Sequence, residues 1–517
     1  MKLKPFKNES YHNFSDPKIF KVQNDALKQV RRKLGKTYDI IIGGKKYQTG
    51  QKLTSFNPSD KDEVVAQFYK GTKELANLAI ETAAKKFEQW KNVPAVERVK
   101  ILLKAAEIAK KRRFEINAWM ITEAGKNFAE AEADTAEAID FMEFYAREML
   151  RYADKQPITP LPGEKNELTY LPLGVGVVVP PWNFPFAILV GMSSAAIVTG
   201  NTIVLKPSSD TPMMGQLYYE IMKQAGLPAG VLNFLPGSGG EVGDTLVAHP
   251  LTRFVSFTGS MEVGIHINKL AAEVQPGQKW LKRVVAEMGG KDSIIVDNEV
   301  KNLDDAVAGV VASAFGFQGQ KCSACSRAIV DAKVYDKFVA KLKEEVEKIQ
   351  VGPAKENYKA GPVINASAER NILSYIEIGK NEGRLLCGGE KAEGNGYYIK
   401  PTVIVDVDPM ARISQEEIFG PVLAVIKAKN FNHALEIGNN TIYGLTGAVY
   451  TNNKEKLARA KKEFFVGNLY FNRKCTGAMV GGHPFGGFNM SGTDSKAGGR
   501  DYLLLFMQAK AMSEKVK

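Results

Sequence analysis

The sequence is poor in the residues that build disulfide frameworks and metal centres. Four cysteines occur in 517 residues, and the five histidines stand singly along the chain. So few cysteines, unevenly spaced, exclude a disulfide scaffold and favour a reducing compartment. Cys322 and Cys325 form a Cys-x-x-Cys pair, but no second Cys or His pair could complete a zinc site, so we expect no bound metal.

Signals for secretion or membrane insertion are also lacking. Residues 1–14 contain no apolar core of signal-peptide length, which favours a cytoplasmic location. The longest run without a charged side chain, residues 168–205, is interrupted by Pro180, Pro181 and Pro185. A membrane-spanning helix needs about 20 continuous apolar residues, so we expect a buried core here and no membrane partner.

The formal net charge of +12 is not concentrated in one segment. Lysines alternate with glutamates along predicted helices, and the densest basic cluster, residues 110–113, lies within an amphipathic helical pattern. A solvated helix face explains such a cluster, and no nucleic-acid-binding motif accompanies it. We therefore expect no nucleic-acid partner. The surplus charge suits anionic substrates and cofactors.

Short β-rich runs alternate with helical runs over most of the chain. One series extends from "VGVVVP" at residue 175 to about residue 288, and a second begins near "DSIIVD" at residue 292. Alternation of this kind predicts an α/β fold with parallel sheets and crossover helices. Before the first series, residues 1–35 predict a helical arm and residues 73–153 are strongly helical. The length predicts two or three domains.

The Cys-x-x-Cys pair has two interpretations besides zinc. A redox dithiol normally has a helix beginning at its first cysteine inside a small thioredoxin-like domain, and neither is indicated here. A single nucleophilic thiol needs a base and an oxyanion stabiliser. No histidine lies nearby in the sequence, so carboxylates and amides are the candidate partners.

Two strand ends are candidates for nucleotide binding. In "FTGSMEVG", Gly259 and Ser260 separate a strand from a helix whose N-terminus suits a pyrophosphate, although a small N-cap residue is equally a structural device. Lys206 ends another buried strand, at the carboxyl edge where open α/β sheets bind ligands. The alternative for Lys206 is a solvent-exposed strand end.

Six motifs, in this order, resemble the aldehyde dehydrogenase superfamily over nearly the whole chain from about residue 38. They are "PWNFPF" (181–186), "FTGSMEVG" (257–264), "AEMGGKD" (286–292), "GQKCSACSR" (319–327), "EEIFGPV" (416–422) and "PFGGFNMSG" (484–492). The stretch 468–499 resembles the branch that oxidises L-glutamate γ-semialdehyde, which is in equilibrium with 1-pyrroline-5-carboxylate, to L-glutamate in proline and arginine catabolism.

The resemblance implies an aldehyde dehydrogenase fold with a Rossmann-like NAD-binding domain, an α/β catalytic domain and a β oligomerisation flap. The expected boundaries are an N-terminal helical arm (1–37), the NAD-binding domain (38–155 and 176–287), the catalytic domain (288–485) and the flap (156–175 and 486–517).

The same resemblance assigns catalytic roles. Cys322 is expected to be the nucleophile, and the Asn183 amide and the Cys322 backbone N–H to hold the oxyanion. Glu287 is expected to be the general base that activates water against a thioester. A free thiol titrates near 8.5, so Cys322 needs either a lowered pKa or a nearby base. Without the resemblance, an ion-paired carboxylate at a strand end would be the simpler interpretation of Glu287.

For the cofactor, the resemblance implies NAD, with Lys206 and Glu417 on its riboses and Phe419 against the nicotinamide. Trp182, Gly259 and Ser260 are expected near the pyrophosphate. Many NAD-preferring members carry Glu where this chain has Ser209. A carboxylate repels a 2′-phosphate whereas a hydroxyl can donate to it, so we expect NAD as the main cofactor with NADP tolerated.

For the substrate, the resemblance implies a pocket that grips an amino-acid head group at one end. The expected substrate-binding residues are Ser323, Gly477 and Ala478 at the carboxylate, Glu137 near the ammonium, and Phe184 and Phe485 on either side of the aliphatic linker. A flexible loop is the alternative for the Gly477 region. Two other functions stay open: oxidation of another ω-semialdehyde such as succinic semialdehyde, or a non-catalytic homologue.

The length leaves no room for the proline dehydrogenase that some bacterial relatives carry in the same chain. We therefore expect a small-molecule semialdehyde substrate, with a separate proline dehydrogenase as a possible supplier. The strand-like segments near residues 170 and 505 resemble the family's oligomerisation flap, which implies a homo-oligomer, a dimer or higher.

Overall fold

The computed structural model describes residues 1 and 3–516. Within this part of the chain the strands are β1 (Lys36–Tyr38), β2 (Ile40–Ile42), β3 (Lys45–Tyr47), β4 (Lys52–Asn57), β5 (Asp60–Tyr69), β6 (Glu164–Pro172), β7 (Val175–Val179), β8 (Thr202–Leu205), β9 (Leu232–Phe234), β10 (Thr252–Thr258), β11 (Arg283–Glu287), β12 (Asp292–Val296), β13 (Cys325–Asp331), β14 (Arg384–Cys387), β15 (Thr402–Val405), β16 (Val422–Ala428), β17 (Tyr443–Gly444), β18 (Thr446–Tyr450), β19 (Asn468–Phe471), β20 (Phe488–Asn489) and β21 (Met507–Lys515).

The α-helices of the same residues begin at Pro17–Arg31, so the predicted helical arm at residues 1–35 is helical only in its second half, and they include a long helical region before β6. They are α1 (Pro17–Arg31), α2 (Lys73–Trp90), α3 (Ala95–Lys111), α4 (Arg113–Ala124), α5 (Phe128–Ala153), α6 (Ala187–Val198), α7 (Pro212–Ala225), α8 (Asp244–Ala248), α9 (Met261–Ala272), α10 (Leu303–Phe315), α11 (Tyr335–Glu347), α12 (Ala366–Glu382), α13 (Arg412–Gln415), α14 (Phe431–Asn439) and α15 (Lys454–Glu463).

Two seven-stranded sheets form the two α/β layers. The first has the order β11-β10-β7-β8-β9-β2-β3, with β2 and β3 as an antiparallel hairpin at its edge. The second has the order β14-β15-β16-β13-β12-β18-β19, parallel except for β14. Central strands such as β7 and β8 are almost continuously apolar and buried, as expected of parallel strands that are covered on both faces. The predicted α/β fold is confirmed.

The long uncharged run folds into β7, a loop, α6 and β8. Helix α6 is buried along nearly its whole length, which accounts for the absence of charge. Among the described residues, no helix combines the length and the apolar character that crossing a bilayer requires.

A two-stranded antiparallel ribbon of β6 and β21 pairs Glu164 with Lys515 and Pro172 with Met507. The two strands thus lie in the ranges expected for the flap. Strand β20, which also lies in such a range, instead pairs with β17 beside the second sheet.

The basic cluster at residues 110–113 differs from the predicted solvated helix face. Helix α3 ends at Lys111 and α4 begins at Arg113, so the cluster spans a helix junction. The Arg113 guanidinium is buried, lies 2.7 Å from Glu132 and donates to the Ser10 carbonyl. The sequence pattern concealed this because the covering N-terminal residues lie far away in the chain.

Candidate active site

Cys322 follows a turn whose backbone is tightly constrained. After α10, Phe317, Gln318 and Gly319 all have positive φ angles, and a Cβ at Gly319 would collide with the carbonyl of Gly420. The buried Gln320 side chain accepts from the backbone N–H of Ile364 at 2.9 Å. Only glycine fits at 319, so the turn fixes where the thiol points.

Burial raises the pKa of the Cys322 thiol well above its ordinary value. The nearby carboxylates of Asp292, Glu417 and Glu287 act in the same direction. Of the two possibilities left by the sequence, a lowered pKa or a nearby base, the structure therefore favours a base.

The Asn183 amide lies beside the Cys322 turn. It sits on the loop between β7 and α6, is buried, and its Nδ2 donates to the Gln320 carbonyl at 3.1 Å. Its Oδ1 accepts from the backbone N–H of Phe184 at 3.1 Å. These two bonds hold the amide, and the second Nδ2 hydrogen is available to a developing negative charge.

Glu287 ends β11, and its side chain is half-buried. Its Oε1 accepts from Ser495 Oγ, and the Gly487 backbone N–H also donates to the carboxylate. Its Oε2 makes no hydrogen bond to any other described residue. Burial raises the pKa of Glu287 to about 8, against the opposing effects of Ser495 and Lys496. A carboxyl group with this pKa can exchange protons near neutral pH.

A cavity of about 110 Å³ contains both Cys322 and Glu287 in its lining. All of the residues expected to bind substrate line the same cavity: Glu137, Phe184, Ser323, Gly477, Ala478 and Phe485. Burial, together with the Asp134 carboxylate, raises the pKa of Glu137 to about 8, and Lys126 opposes this shift. The structure thus brings together side chains from α5, the Asn183 loop, the Cys322 turn and the segment after β19.

A second cavity, of about 460 Å³, lies at the carboxyl ends of β7, β8 and β10. The residues expected to bind the cofactor line it: Trp182, Lys206, Ser209, Gly259, Ser260, Glu417 and Phe419. Cys322 lines both cavities, so the thiol lies where they meet.

This groove has the chemical groups that a dinucleotide needs. Ser260 caps the N-terminus of α9, which suits a pyrophosphate. Glu417 accepts from the Gly290 backbone N–H at 3.0 Å, and burial lowers the pKa of Lys206 to about 8. Rings of Trp182 and Phe419 meet edge to face at 5.4 Å. A carboxylate, an amine and a helix N-terminus along one groove fit ribose hydroxyls and phosphates.

The aldehyde dehydrogenase family model matches residues 46–512. This chain belongs to the aldehyde dehydrogenase family. A 1-pyrroline-5-carboxylate dehydrogenase of Geobacillus sp. (strain WCH70) is 56% identical over 513 residues, covering 99% of each chain.

Solved structures give the same result. A Thermus 1-pyrroline-5-carboxylate dehydrogenase with bound NAD superposes on the whole chain with a TM-score of 0.98 and 50% identity, and 100% of each chain is covered. Proline utilization A (PutA) from Bdellovibrio bacteriovorus has a TM-score of 0.97 and 43% identity, covering 100% of this chain and 54% of the other. The aldehyde dehydrogenase resemblance and fold predicted from the motifs are confirmed.

Sequence reasoning missed part of the smaller cavity of this aldehyde dehydrogenase. Phe141, Tyr145, Ile188, Met192 and Tyr502 also line it. Phe141 and Tyr145 follow Glu137 at helical spacing on α5, so that periodicity could have indicated them. Tyr502 carries no such signal, because it reaches the cavity from the far C-terminal end.

The other two cysteines near the site lie in the core. Cys325 and Cys475 are buried, and the Cys475 thiol donates to the Ser323 carbonyl at 3.4 Å. The Cys325 thiol donates to the Arg327 carbonyl at 3.4 Å. Neither lines the cavity that contains Cys322. The Cys-x-x-Cys spacing therefore does not place both thiols in one reactive site.

Proposed function

We propose that this aldehyde dehydrogenase oxidises L-glutamate γ-semialdehyde to L-glutamate with NAD as the main cofactor and NADP tolerated. The observation that carries the proposal is that one cavity is lined by Cys322 and Glu287 together with Glu137, Ser323, Gly477 and Ala478. The full-length similarity to dehydrogenases named for 1-pyrroline-5-carboxylate supports the same substrate.

In the first step, Cys322 acts as the nucleophile. The thiol gives its proton to Glu287, the carboxylate that lines the same cavity, and the sulfur bonds to the aldehyde carbon. The carbonyl π electrons move onto oxygen, which gives a thiohemiacetal oxyanion. The second Nδ2 hydrogen of Asn183 and the backbone N–H of Cys322 stabilise this oxygen. Such donors contribute about 3–4 kcal/mol each to the transition state.

When bound, NAD would supply the acceptor for the hydride of the former aldehyde carbon. The residues that would hold it are Lys206 and Glu417 at the riboses, Gly259, Ser260 and Trp182 near the pyrophosphate, and Phe419 at the nicotinamide. Ser209 would lie near the adenine ribose. Loss of the hydride leaves the carbon as a thioester on Cys322.

Glu287 then releases the proton of the thiol to solvent. In the second step, its carboxylate takes a proton from water, and the hydroxyl attacks the thioester carbonyl. The C–S bond then breaks, the sulfur leaves as thiolate, and the product leaves as a carboxylate. The free Oε2 of Glu287 is positioned to accept from a water molecule. Over both steps, one aldehyde, one water and one NAD⁺ give one carboxylate, one NADH and two protons.

The head-group end of the cavity suits an α-amino acid. Backbone N–H groups at the glycine-rich turn, with Ser323, would bind the α-carboxylate, and Glu137 would lie near the ammonium. Phe184 and Phe485 would pack on the aliphatic linker. Succinic semialdehyde, the rival substrate, has no α-ammonium group, so it would leave the Glu137 carboxyl group at this end without a partner.

Steady-state rates with a panel of semialdehydes and both cofactors test the proposal. We expect kcat/KM for glutamate γ-semialdehyde to exceed that for succinic semialdehyde. We also expect kcat/KM for NAD to exceed that for NADP. Equal kcat/KM values for the two semialdehydes would contradict the substrate assignment but leave the proposed chemistry intact. Absence of any dehydrogenase activity would favour a non-catalytic homologue.

The domain organisation that we propose keeps the expected boundaries. Residues 38–155 and 176–287 form the NAD-binding domain, 288–485 the catalytic domain, 1–37 the arm, and 156–175 with 486–517 the flap. In support, the first seven-stranded sheet falls within 38–287 and the second within 288–485.

We further propose a cytoplasmic homo-oligomer, a dimer or higher, that receives its substrate from solution or from a separate proline dehydrogenase. The ribbon of β6 and β21 supports oligomerisation because it has unpaired edges that could extend another subunit's sheet. Light scattering of wild type and of a chain lacking residues 507–517 tests this. A monomeric wild type would overturn it.

A further inference from the structure

The N-terminal residues 3–14, called the arm segment here, lie against α5 and the loop 476–482. The Phe6 ring packs edge to face on Phe144 of α5, with centroids 5.1 Å apart. The Tyr11 hydroxyl lies 3.6 Å from the sulfur of Met479 in the loop. The arm segment therefore contacts both elements that hold the head-group end of the substrate cavity.

One side chain joins these two elements directly. Asn8 Nδ2 donates to Asp140 Oδ2 at 2.9 Å and to the Val480 carbonyl at 3.0 Å. The neighbouring Glu9 backbone N–H donates to the other oxygen of Asp140 at 2.7 Å. Both hydrogens of the Asn8 amide are used, so its position is set from α5 on one side and from the loop on the other.

The two partners of Asn8 are close in sequence to proposed substrate ligands. Asp140 follows Glu137 by about one turn of α5, and Val480 follows Gly477 and Ala478 in the loop. Gly477 and Gly481 both have φ +78°, a left-handed conformation that glycine adopts without strain. Glycine also has many other accessible backbone conformations. The hydrogen bond from Asn8 to Val480 therefore restricts a segment that its own sequence leaves flexible.

We propose that Asn8 is a positioning residue that fixes the Gly477–Ala478 backbone relative to Glu137 and so sets the affinity for the amino-acid end of the substrate. The inference rests on the proposed function, because it concerns the head group of that substrate. Asn8 does not line the cavity, and its effect passes through Asp140 and Val480.

The test compares two aldehydes in Asn8 variants of the full chain. Asn8→Asp places a carboxylate against Asp140 and against the Val480 carbonyl, and Asn8→Ala removes the donor without adding repulsion. We expect KM for glutamate γ-semialdehyde to rise about tenfold in the first variant and about threefold in the second, the scale of one or two net hydrogen bonds. For both variants kcat should stay within about twofold, and KM for propanal, which has no head group, should not change.

The exposed neighbour Lys7 provides the matched control, since Lys7→Ala alters the same segment and leaves the hydrogen bonds of Asn8 in place. A rise in KM for both aldehydes alike, no rise for either, or an equal effect of Lys7→Ala would overturn the inference. If wild type itself showed no preference for glutamate γ-semialdehyde over propanal, the proposed function would fail instead.

A swapped pair separates positioning from simple stabilisation. In Asn8→Asp with Asp140→Asn, the amide at 140 can donate to the carboxylate at 8, but nothing donates to Val480. We expect the melting temperature to recover toward wild type while KM for glutamate γ-semialdehyde stays high. Recovery of both together would mean that the arm segment only stabilises the fold, and would overturn the proposal.

Discussion

Lys126 Nζ lies 3.1 Å from Asp134 Oδ2, and both side chains are fully buried. The ammonium also lies 4.1 Å from the centre of the Phe184 ring and 4.3 Å from that of Phe317. Asp134 Oδ1 accepts from the backbone N–H of Ala187, the first residue of α6, at 2.6 Å. One buried ion pair thus connects the Asn183 loop with the turn before Cys322.

Breaking this pair should destabilise the protein strongly. Asp134→Asn or Lys126→Met leaves one buried charge without its partner, which costs about 3–5 kcal/mol in the free energy of unfolding. Equilibrium urea unfolding measures the loss. The exposed pair of Lys28 and Asp25 is the control, and Asp25→Asn there should cost at most about 1 kcal/mol. Similar losses for the buried and exposed pairs would contradict the expectation.

The two cysteines of the Cys-x-x-Cys pair should behave differently. Cys322→Ser should lower kcat for aldehyde oxidation at least about a thousandfold, the scale on which losing a nucleophile acts. Cys325→Ser should leave kcat within about twofold, because its hydroxyl can donate to the Arg327 carbonyl as the thiol does. Steady-state rates of both variants at saturating substrate and cofactor measure this difference. Equal loss in both variants would instead favour a dithiol mechanism.

The pH dependence of turnover should report Glu287. The base works only when deprotonated, and burial raises its pKa to about 8, so kcat should increase with pH up to that value and then level off. Ser495 donates to the carboxylate and so favours its charged form. Ser495→Ala should therefore move the inflection to higher pH.

Ser374→Ala is a suitable control for this experiment. Ser374 is exposed on α12 and donates to the Asn371 carbonyl, so its removal should leave the profile unchanged. A shift of the Ser495→Ala profile to lower pH would mean that Ser495 does not stabilise the carboxylate.

The fold was predictable because it follows local patterns. Apolar runs mark β7, β8 and β12, and the strand ends place Asn183 and Lys206 at one edge of a parallel sheet. The raised pKa of Glu287 was not predictable from the sequence. Its pKa depends on Ser495 and Gly487, which approach from about two hundred positions away in the chain.

The N-terminal contacts were hidden for the same reason. The Asn8 bond to Val480 joins residues 472 positions apart, and no periodicity of either segment encodes it. The Arg113 side chain looks like part of a solvated basic cluster until the arm segment covers it. Local patterns therefore gave the elements, whereas these long-range polar contacts required the structure.

Cofactor choice should respond to the side chain at 209. Ser209 is exposed and lines the groove with Lys206, Gly259 and Ser260. Ser209→Glu should lower kcat/KM for NADP about 10- to 100-fold, or about 1.4–2.7 kcal/mol, because a carboxylate there repels a 2′-phosphate. For NAD, kcat/KM should hold or rise, since the carboxylate can accept from the ribose 2′-hydroxyl.

Ser209→Gln separates charge from size in this experiment, because glutamine has nearly the shape of glutamate without its charge. Rates with both cofactors should show the glutamine variant losing far less NADP activity than the glutamate variant. Increasing ionic strength should narrow the difference, since the groove is open to solvent and salt screens exposed charges. If glutamine and glutamate reduced NADP use equally, bulk rather than charge would set the preference, and Ser209 would not act through the 2′-phosphate.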